Sequence, residues 1–372
     1  MRRLTAINFI NQFFWAVIAI TLPLYLLQKN INVEEIGLIL SLIPLTMVFS
    51  RTLLAMVSDV LGTRIFFMMQ GVFQALSAGT YAISSIPLHF GIGKTFEGIS
   101  YSFFWAVDRT AIFRTAKKRG IEAAKMTSVR MVAGGIGFLF GGYIAYLFSF
   151  EAVYLFLVLL GLLTFILAAM RHDNEANHDE KIAQTLELDK KHLLFWEAAF
   201  VLGFAVVYDS VFLGFLLPVF MDISLNLDYA IIGLGMAIYF AGLGIGSYIA
   251  AKVELVEKRL LPFQLLMIPL LALLPYSGGF FIPLLFLVGL GSGIVFAMYE
   301  EVVAEITKDD RNLSTSVALL NLPGKIMEFF ILASAGFILV LLGNEALFAL
   351  CALLLLVYII FTHKILKKLA VA

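Results

Sequence analysis

The sequence predicts an all-α integral membrane protein of twelve transmembrane helices, and three observations carry that prediction. The 372 residues are 61% hydrophobic and 14% charged, with a mean hydropathy of +0.97, far more apolar than a water-soluble domain. Successive apolar runs approach or exceed the roughly 20 residues that a helix needs to cross hydrocarbon. None of these runs alternates in polarity over about ten residues, as a membrane-spanning strand would. Twelve spans leave about 31 residues for each helix and its connector, so no sizeable soluble domain fits.

The first span covers 5–28. Its start, Met1-Arg2-Arg3, imitates a secretory signal, but the apolar stretch is too long and lacks a small-residue cleavage site. It reads as an uncleaved first helix. Spans follow at 35–57, 65–86, 88–113, 125–148 and 151–170. A polar stretch, Arg171 to Lys191, interrupts the pattern near the midpoint. Spans resume at 195–221, 228–251, 260–276, 280–304, 313–341 and 345–363, of which 260–276 is the shortest. The predicted organisation is therefore a six-helix bundle over 1–170, a linker over 171–194 and a second six-helix bundle over 195–372.

Charge placement orients the chain. Arg2, Arg3, Arg64, the Arg114 to Arg119 cluster, Lys190, Lys191, Lys258, Arg259, Lys308, Arg311, Lys367 and Lys368 all fall in one set of loops. The opposite set holds Lys29 and otherwise acidic or neutral residues such as Asp222, Asp228 and Glu345. Basic loops stay on the cytoplasmic side, which places both termini and the linker there and predicts a multi-pass protein of the cytoplasmic (inner) membrane.

Other chemistries find no support. Lys plus Arg equals Asp plus Glu at 26 each, so net charge gives no signal for nucleic acid. The single cysteine, Cys351, excludes an internal disulfide and a cysteine metal site. His172, His178 and His192 fit no metal-ligand spacing and read as part of a solvated linker. Gly93-Lys94-Thr95 imitates the end of a phosphate-binding loop, but Leu88 stands where its first glycine belongs and no strand precedes it. No cofactor or metal, and no enzymatic activity, is expected.

An internal repeat is visible. Leu22-Pro23-Leu24-Tyr25 and Leu217-Pro218-Val219-Phe220 end the first and seventh spans at an offset of 195, at which Asp59 also meets Glu254 and Arg64 meets Arg259. Thr115 to Arg119 matches Thr307 to Arg311 at an offset of 192. Because six is even, both copies share one orientation in the bilayer. Parallel repeats of this kind are one transporter plan, with the solute held at mid-membrane where the copies meet.

The loop after the second span, Ala55-Met56-Val57-Ser58-Asp59-Val60-Leu61-Gly62-Thr63-Arg64, resembles the signature of the major facilitator superfamily, Gly-x-x-x-Asp-Arg-x-Gly-Arg-Arg, at Asp59, Gly62 and Arg64. Lys94-Thr95-Phe96-Glu97-Gly98 is similar to its Arg-x-x-x-Gly pattern in the fourth helix. Gly134-Gly135-Ile136-Gly137-Phe138-Leu139-Phe140-Gly141-Gly142 is similar to the Gly-Pro-x-x-Gly-Gly element of its proton-coupled drug antiporters, with Phe138 in place of the proline. Close helix approach through small residues is an equal account of that element. The resemblance implies a cytoplasmic latch at Asp59 and Arg64. It also implies that helices 1, 4, 7 and 10 line a cavity, that 2, 5, 8 and 11 flank it and that 3, 6, 9 and 12 lie outermost.

Ionisable groups inside spans sharpen the expectation, because they are costly unless they face protein, a partner or water. Lys94 with Glu97, and Lys325 with Glu328, form i,i+3 pairs on one helix face, either structural or functional. Asp209 has no basic residue within a turn, so its partner is either Lys325 or Lys94 on another helix or a proton. Asp209, then Glu97 and Glu328, are the proton-coupling candidates. Asp108 and Arg109 recur at an offset of 192 as Glu300 and Glu301 and read as gate residues pairing with Arg64, Arg114 or Arg130. Asn11, Gln12, Trp15, Trp105, Tyr208 and Tyr299 are candidate cavity residues, able to present an amphipathic wall to a solute.

Together these readings describe a monomeric secondary transporter in a lipid bilayer whose partners are a small-molecule substrate and protons. Export of a drug-like or amphipathic compound is the first expectation. Uptake of a sugar or other small metabolite, or a non-transporting receptor on the same fold, are the alternatives.

Overall fold

The structure, a computed structural model, describes residues 2–115, 119–171, 192–252, 257–308, 310 and 313–369. These residues form α1 (Arg2–Gln28), α2 (Val33–Leu61), α3 (Arg64–Ile83), α4 (Pro87–Thr115), α5 (Arg119–Leu147) and α6 (Phe150–Ala169). They continue as α7 (Leu193–Ser224), α8 (Tyr229–Lys252), α9 (Glu257–Leu273) and α10 (Phe281–Ile306). The run Leu313–Leu369 divides at Gly343, whose φ of 83° lies outside helical space, into α11 (313–342) and α12 (344–369). Each expected span is present, within a few residues at either end. Most of the expected linker, including His172 and His178, lies outside the described residues.

Local chemistry sets several helix ends. Ser149 caps α6 by accepting the Ala152 N–H at 3.2 Å, and Glu34 and Glu35 complement the positive end of α2. Gly62 ends α2 at φ 83°, a left-handed backbone that glycine adopts without cost. Inside α7, Pro218 cannot donate to the ladder, and the helix widens into π turns at Phe212–Leu216 and Phe220–Ser224 on either side of it.

By length and composition, eight of the described helical runs are able to cross a membrane, with Leu313–Leu369 counting once. The helices α3, α4 and α9 fall outside that set. Helix α9 is apolar but too short. The polarity of the other two has a destination: α4 carries Lys94, Glu97, Asp108 and Arg109, and α3 turns Gln70 and Gln74 toward Asn11 of α1 at 2.8 and 3.3 Å.

Contacts repeat with a shift of six helices. Helix α1 meets α5 where Gly137 faces Phe13, as α7 meets α11 where Gly203 faces Gly324. Helix α2 meets α4 at Thr46 and Gly98, as α8 meets α10 at Gly242 and Phe286. Helix α3 meets α4 through Ser100 and Gln70, as α9 meets α10 through Met298 and Gln264. Helix α3 meets α6 at Gly71 and Gly161, as α9 meets α12 through Gln264 and His363.

The two sets of six touch along α2–α11 and α5–α8, pairs that exchange under the same shift. Glycines bring the backbones together there: Gly37 against Leu332 and Gly336, and Gly142 against Gly233. Lipid offers little hydrophobic drive for association, so close backbone approach supplies the dispersion contact that holds such seams. A Cβ on Gly233 would stand 2.7 Å from the Phe138 carbonyl oxygen and 3.1 Å from the Gly142 Cα. Gly233→Leu is therefore expected to lower the unfolding temperature of the purified protein, on the scale of the 1–3 kcal/mol typical of overpacking. Gly214→Ala, whose Cβ would meet nothing within 4 Å, should melt like the parent. Equal melting of Gly233→Leu and the parent would sink the close-approach argument.

Candidate functional site

A cavity of about 320 Å³ lies between the two sets of helices, within the size range of small-molecule sites. Its walls come from α1, α2, α4, α5, α7, α8, α10 and α11, and no lining residue belongs to α3, α6, α9 or α12. That division is the one the family resemblance implies. All six expected cavity residues, Asn11, Gln12, Trp15, Trp105, Tyr208 and Tyr299, line it, as do Asp209, Glu97, Glu328, Lys94 and Lys325.

Neighbours hold several of these side chains. Trp15 rests edge-on to Phe138 and beside Phe240, with ring centroids 5.8 and 5.9 Å away. Tyr208 and Tyr239 converge on the Ser292 hydroxyl at 3.1 and 2.7 Å. Tyr299 donates to Asn321, whose amide donates to the Val317 carbonyl at 2.8 Å. Asn11 accepts from both glutamines of α3, which fixes the amide at the cavity wall.

The charged groups sort into pairs. Lys94 reaches Glu97 at 2.9 Å, and the same carboxylate oxygen accepts the Tyr81 hydroxyl at 2.7 Å. Lys325 reaches Glu328 at 2.6 Å, whose second oxygen accepts from Ser210 at 2.6 Å. Both acids thus receive a lysine from one turn earlier and a hydroxyl from another helix. Arg109 of α4 meets Glu300 of α10 at 2.6 Å and so ties the two sets of helices together. Thr110 and Ser314 share a hydrogen bond of 2.5 Å beside it. Arg130 of α5 pairs with the fully buried Asp108 of α4, donates from Nε to the side-chain Oδ1 of Asn8 at 2.9 Å and lies 5.1 Å from the Trp105 ring.

Several expected partnerships are corrected. Of the partners expected for Asp108, Arg130 is the one that holds it; Arg64 does not reach it, and its guanidinium donates instead to the Ala169 carbonyl at the end of α6 at 2.5 Å. Glu300 pairs with Arg109, its near-counterpart in the repeat, and not with Arg64 or Arg130. Neither Lys94 nor Lys325 pairs with Asp209, because each is taken by its own glutamate. Glu301 is half-buried and does not line the cavity. The side chains of Asp59 and Arg114 lie outside the described residues, so of the expected loop latch only Gly62 and Arg64 are placed.

Two charged groups remain on the cavity wall with no ion-pair or hydrogen-bond partner among the described residues: Asp209 on α7 and Arg51 on α2. Asp209 is exposed to the cavity, near Lys325 and Glu328. Arg51 is only 7% exposed, and its Nε is buried without a hydrogen bond. Sequence analysis does not select Arg51, although a lone arginine well inside the 35–57 span is the same kind of signal that selects Asp209. Asn321 is missed for a different reason, since a neutral amide on a long apolar helix carries no charge signal.

The buried Lys94–Glu97 pair predicts a non-additive pair of substitutions. Removing one partner strands a charge, at a typical cost of about 3–5 kcal/mol, whereas removing both leaves an apolar site. Thermal unfolding of Lys94→Met, Glu97→Gln and the double variant should place the double variant above Glu97→Gln. Additive losses would show that the pair carries no coupling.

No curated protein matches the chain in sequence. Among solved structures, a D-xylose-proton symporter superposes with a TM-score of 0.75 at 12% identity, covering 97% of this chain and 96% of its own. A variant of the nucleoside transporter NupG superposes with a TM-score of 0.68 at 14% identity, covering 98% of both chains. The Major Facilitator Superfamily model matches residues 4–201, more than half of the sequence, and the likeness of fold runs through the rest of it. The chain belongs to the Major Facilitator Superfamily.

Proposed function

We propose that this protein is a proton-coupled carrier that moves a small organic solute across the cytoplasmic membrane by alternating access, with Asp209 as the proton-bearing group. The superfamily is one of transporters, so passage of a solute rather than catalysis is the general activity. The units that rock would be 1–170 and 195–372, joined through 171–194, with both termini cytoplasmic. The observation that carries the coupling is the solitary carboxylate of Asp209, which faces the cavity while every acid beside it is already paired. A group without a fixed counter-ion gains most from taking up a proton.

The glycines of α5 bear on direction only by offering no support for export. Gly134, Gly137, Gly141 and Gly142 are each spent on contact with α1 or α8, so the likeness to the antiporter element needs no further role. Entry of solute together with the proton is the reading favoured by the compact cavity, and the xylose neighbour is itself described as a proton symporter. Export of an amphipathic compound remains the second reading, favoured by the Trp15, Trp105 and Phe240 rings on the wall.

Protein in proteoliposomes with an acidic exterior tests this. One pH unit is worth about 1.4 kcal/mol, enough for about tenfold accumulation at one proton per solute. Asp209→Asn should abolish accumulation while downhill exchange of the same labelled solute persists. Undiminished accumulation in Asp209→Asn would remove Asp209 from the mechanism.

The Arg109–Glu300 contact supplies a second test, since a pair between moving units must break in one state. Arg109→Ala and Glu300→Gln should each raise labelling of cavity-facing cysteines introduced at Thr127 or Val317, measured from the terminus-bearing side. The exchanged pair, Arg109→Glu with Glu300→Arg, should restore the parental rate. Labelling unaffected by any of these changes would show that the contact does not gate the cavity.

A further inference from the structure

We infer that the transported solute is a small organic monoanion, a carboxylate, whose charge is met by Arg51 while Asp209 carries the accompanying proton; this rests on the proton-coupled reading above. The argument is one of charge accounting. Lys94, Lys325, Arg109 and Arg130 each have an acid, in Glu97, Glu328, Glu300 and Asp108. Arg51 has none among the described residues. A guanidinium keeps its charge in any protein environment, so it cannot escape the cost of burial by shedding a proton, as a lysine can.

The groups around Arg51 do not relieve it. Tyr299, Arg109 and Glu328 lie within electrostatic reach, but Glu328 is committed to Lys325 and Ser210, and Arg109 to Glu300. What is left is a fork of N–H donors at the edge of a cavity, a geometry that suits a carboxylate held by two parallel bonds. The Trp15 and Phe240 rings, which line the same cavity, offer an apolar surface for the rest of the molecule.

Asp209 supplies the other half of the balance. Lys325 and Glu328 near it cancel, and Tyr239 within its reach is neutral. With Asp209 ionised and the cavity empty, the five basic groups Arg51, Lys94, Arg109, Arg130 and Lys325 are matched by five acids. Once Asp209 takes a proton, the wall has one positive charge in excess, and a monoanion restores neutrality. The empty and the doubly loaded states are therefore neutral, whereas either singly loaded state places a net charge at mid-membrane. That difference couples proton and anion without contact between them.

The test uses acetate, benzoate and octanoate, each beside its amide. Purified protein should be stabilised against heat by at least one acid and not by its amide. Arg51→Gln should lose that shift, and Arg51→Lys should keep part of it. Ligand-free Arg51→Gln should remain folded and melt close to the parent, because no ion pair or hydrogen bond of Arg51 among the described residues is broken by the change. In proteoliposomes, uptake of the labelled acid in excess of that into protein-free liposomes, which the undissociated acid also enters, should follow the pH gradient and ignore an imposed potassium diffusion potential, since proton and monoanion together carry no charge. Stabilisation by amides as well as acids, retention of the shift in Arg51→Gln, or no shift with any acid would overturn the anion assignment. Gradient-driven uptake of neutral solutes, unchanged in Arg51→Gln, would overturn it while leaving proton-coupled transport intact. An Arg51-dependent shift without any response of uptake to the pH gradient would sink proton coupling and leave the anion site standing.

Discussion

Compensation of charge in a medium that solvates ions poorly is the constraint on which this structure depends. Lys94 cannot sit in α4 without Glu97, nor Lys325 in α11 without Glu328, and each pair is finished by a hydroxyl from a neighbouring helix. Those hydroxyls, from Tyr81 and Ser210, fix how α3 approaches α4 and how α7 approaches α11. The polar interior therefore does more than tolerate ions. It sets the rotation of each helix about its axis, which determines which faces look into the cavity.

The contacts on either side of the cavity differ in kind. Toward the ends of α2, α5, α8 and α11 away from the chain termini, the halves meet backbone to backbone through Gly37, Gly336, Gly142 and Gly233. Toward the termini they meet through Arg109–Glu300, with side chains 19% and 37% exposed, and through Thr110–Ser314. Partly exposed ion pairs trade their partner for water at small cost, whereas a glycine seam gains from many close contacts at once. The two ends are thus built to separate by different means. Breaking one is an exchange of hydrogen bonds, and breaking the other is a loss of dispersion contact over a long seam.

Fold and site carry separate information. A likeness to solved transporters at 12–14% identity shows that the helix arrangement survives almost complete replacement of its residues, as it must when apolar length and small-residue contacts are the main requirements. The charged and amide groups on the cavity wall lie outside that requirement.

By itself, the sequence determines the twelve spans, the duplicated six-helix plan and the i,i+3 pairs Lys94–Glu97 and Lys325–Glu328, because all of these rest on chain-local length, period and spacing. It also places Asp209 and six polar or aromatic residues among candidates that do line the cavity, since burying a polar group in lipid without such a purpose is too costly. Partner choice across helices is another matter. That Arg130 and not Arg64 holds Asp108, that Arg109 meets Glu300, and that Lys94 and Lys325 are unavailable to Asp209 follow from helix rotation and tilt. Those variables are set by many small contacts summed over distant segments, and no local window of residues contains them. The same reason hides Arg51: its importance lies in having no partner, and only the assembled neighbourhood shows which partners are already taken.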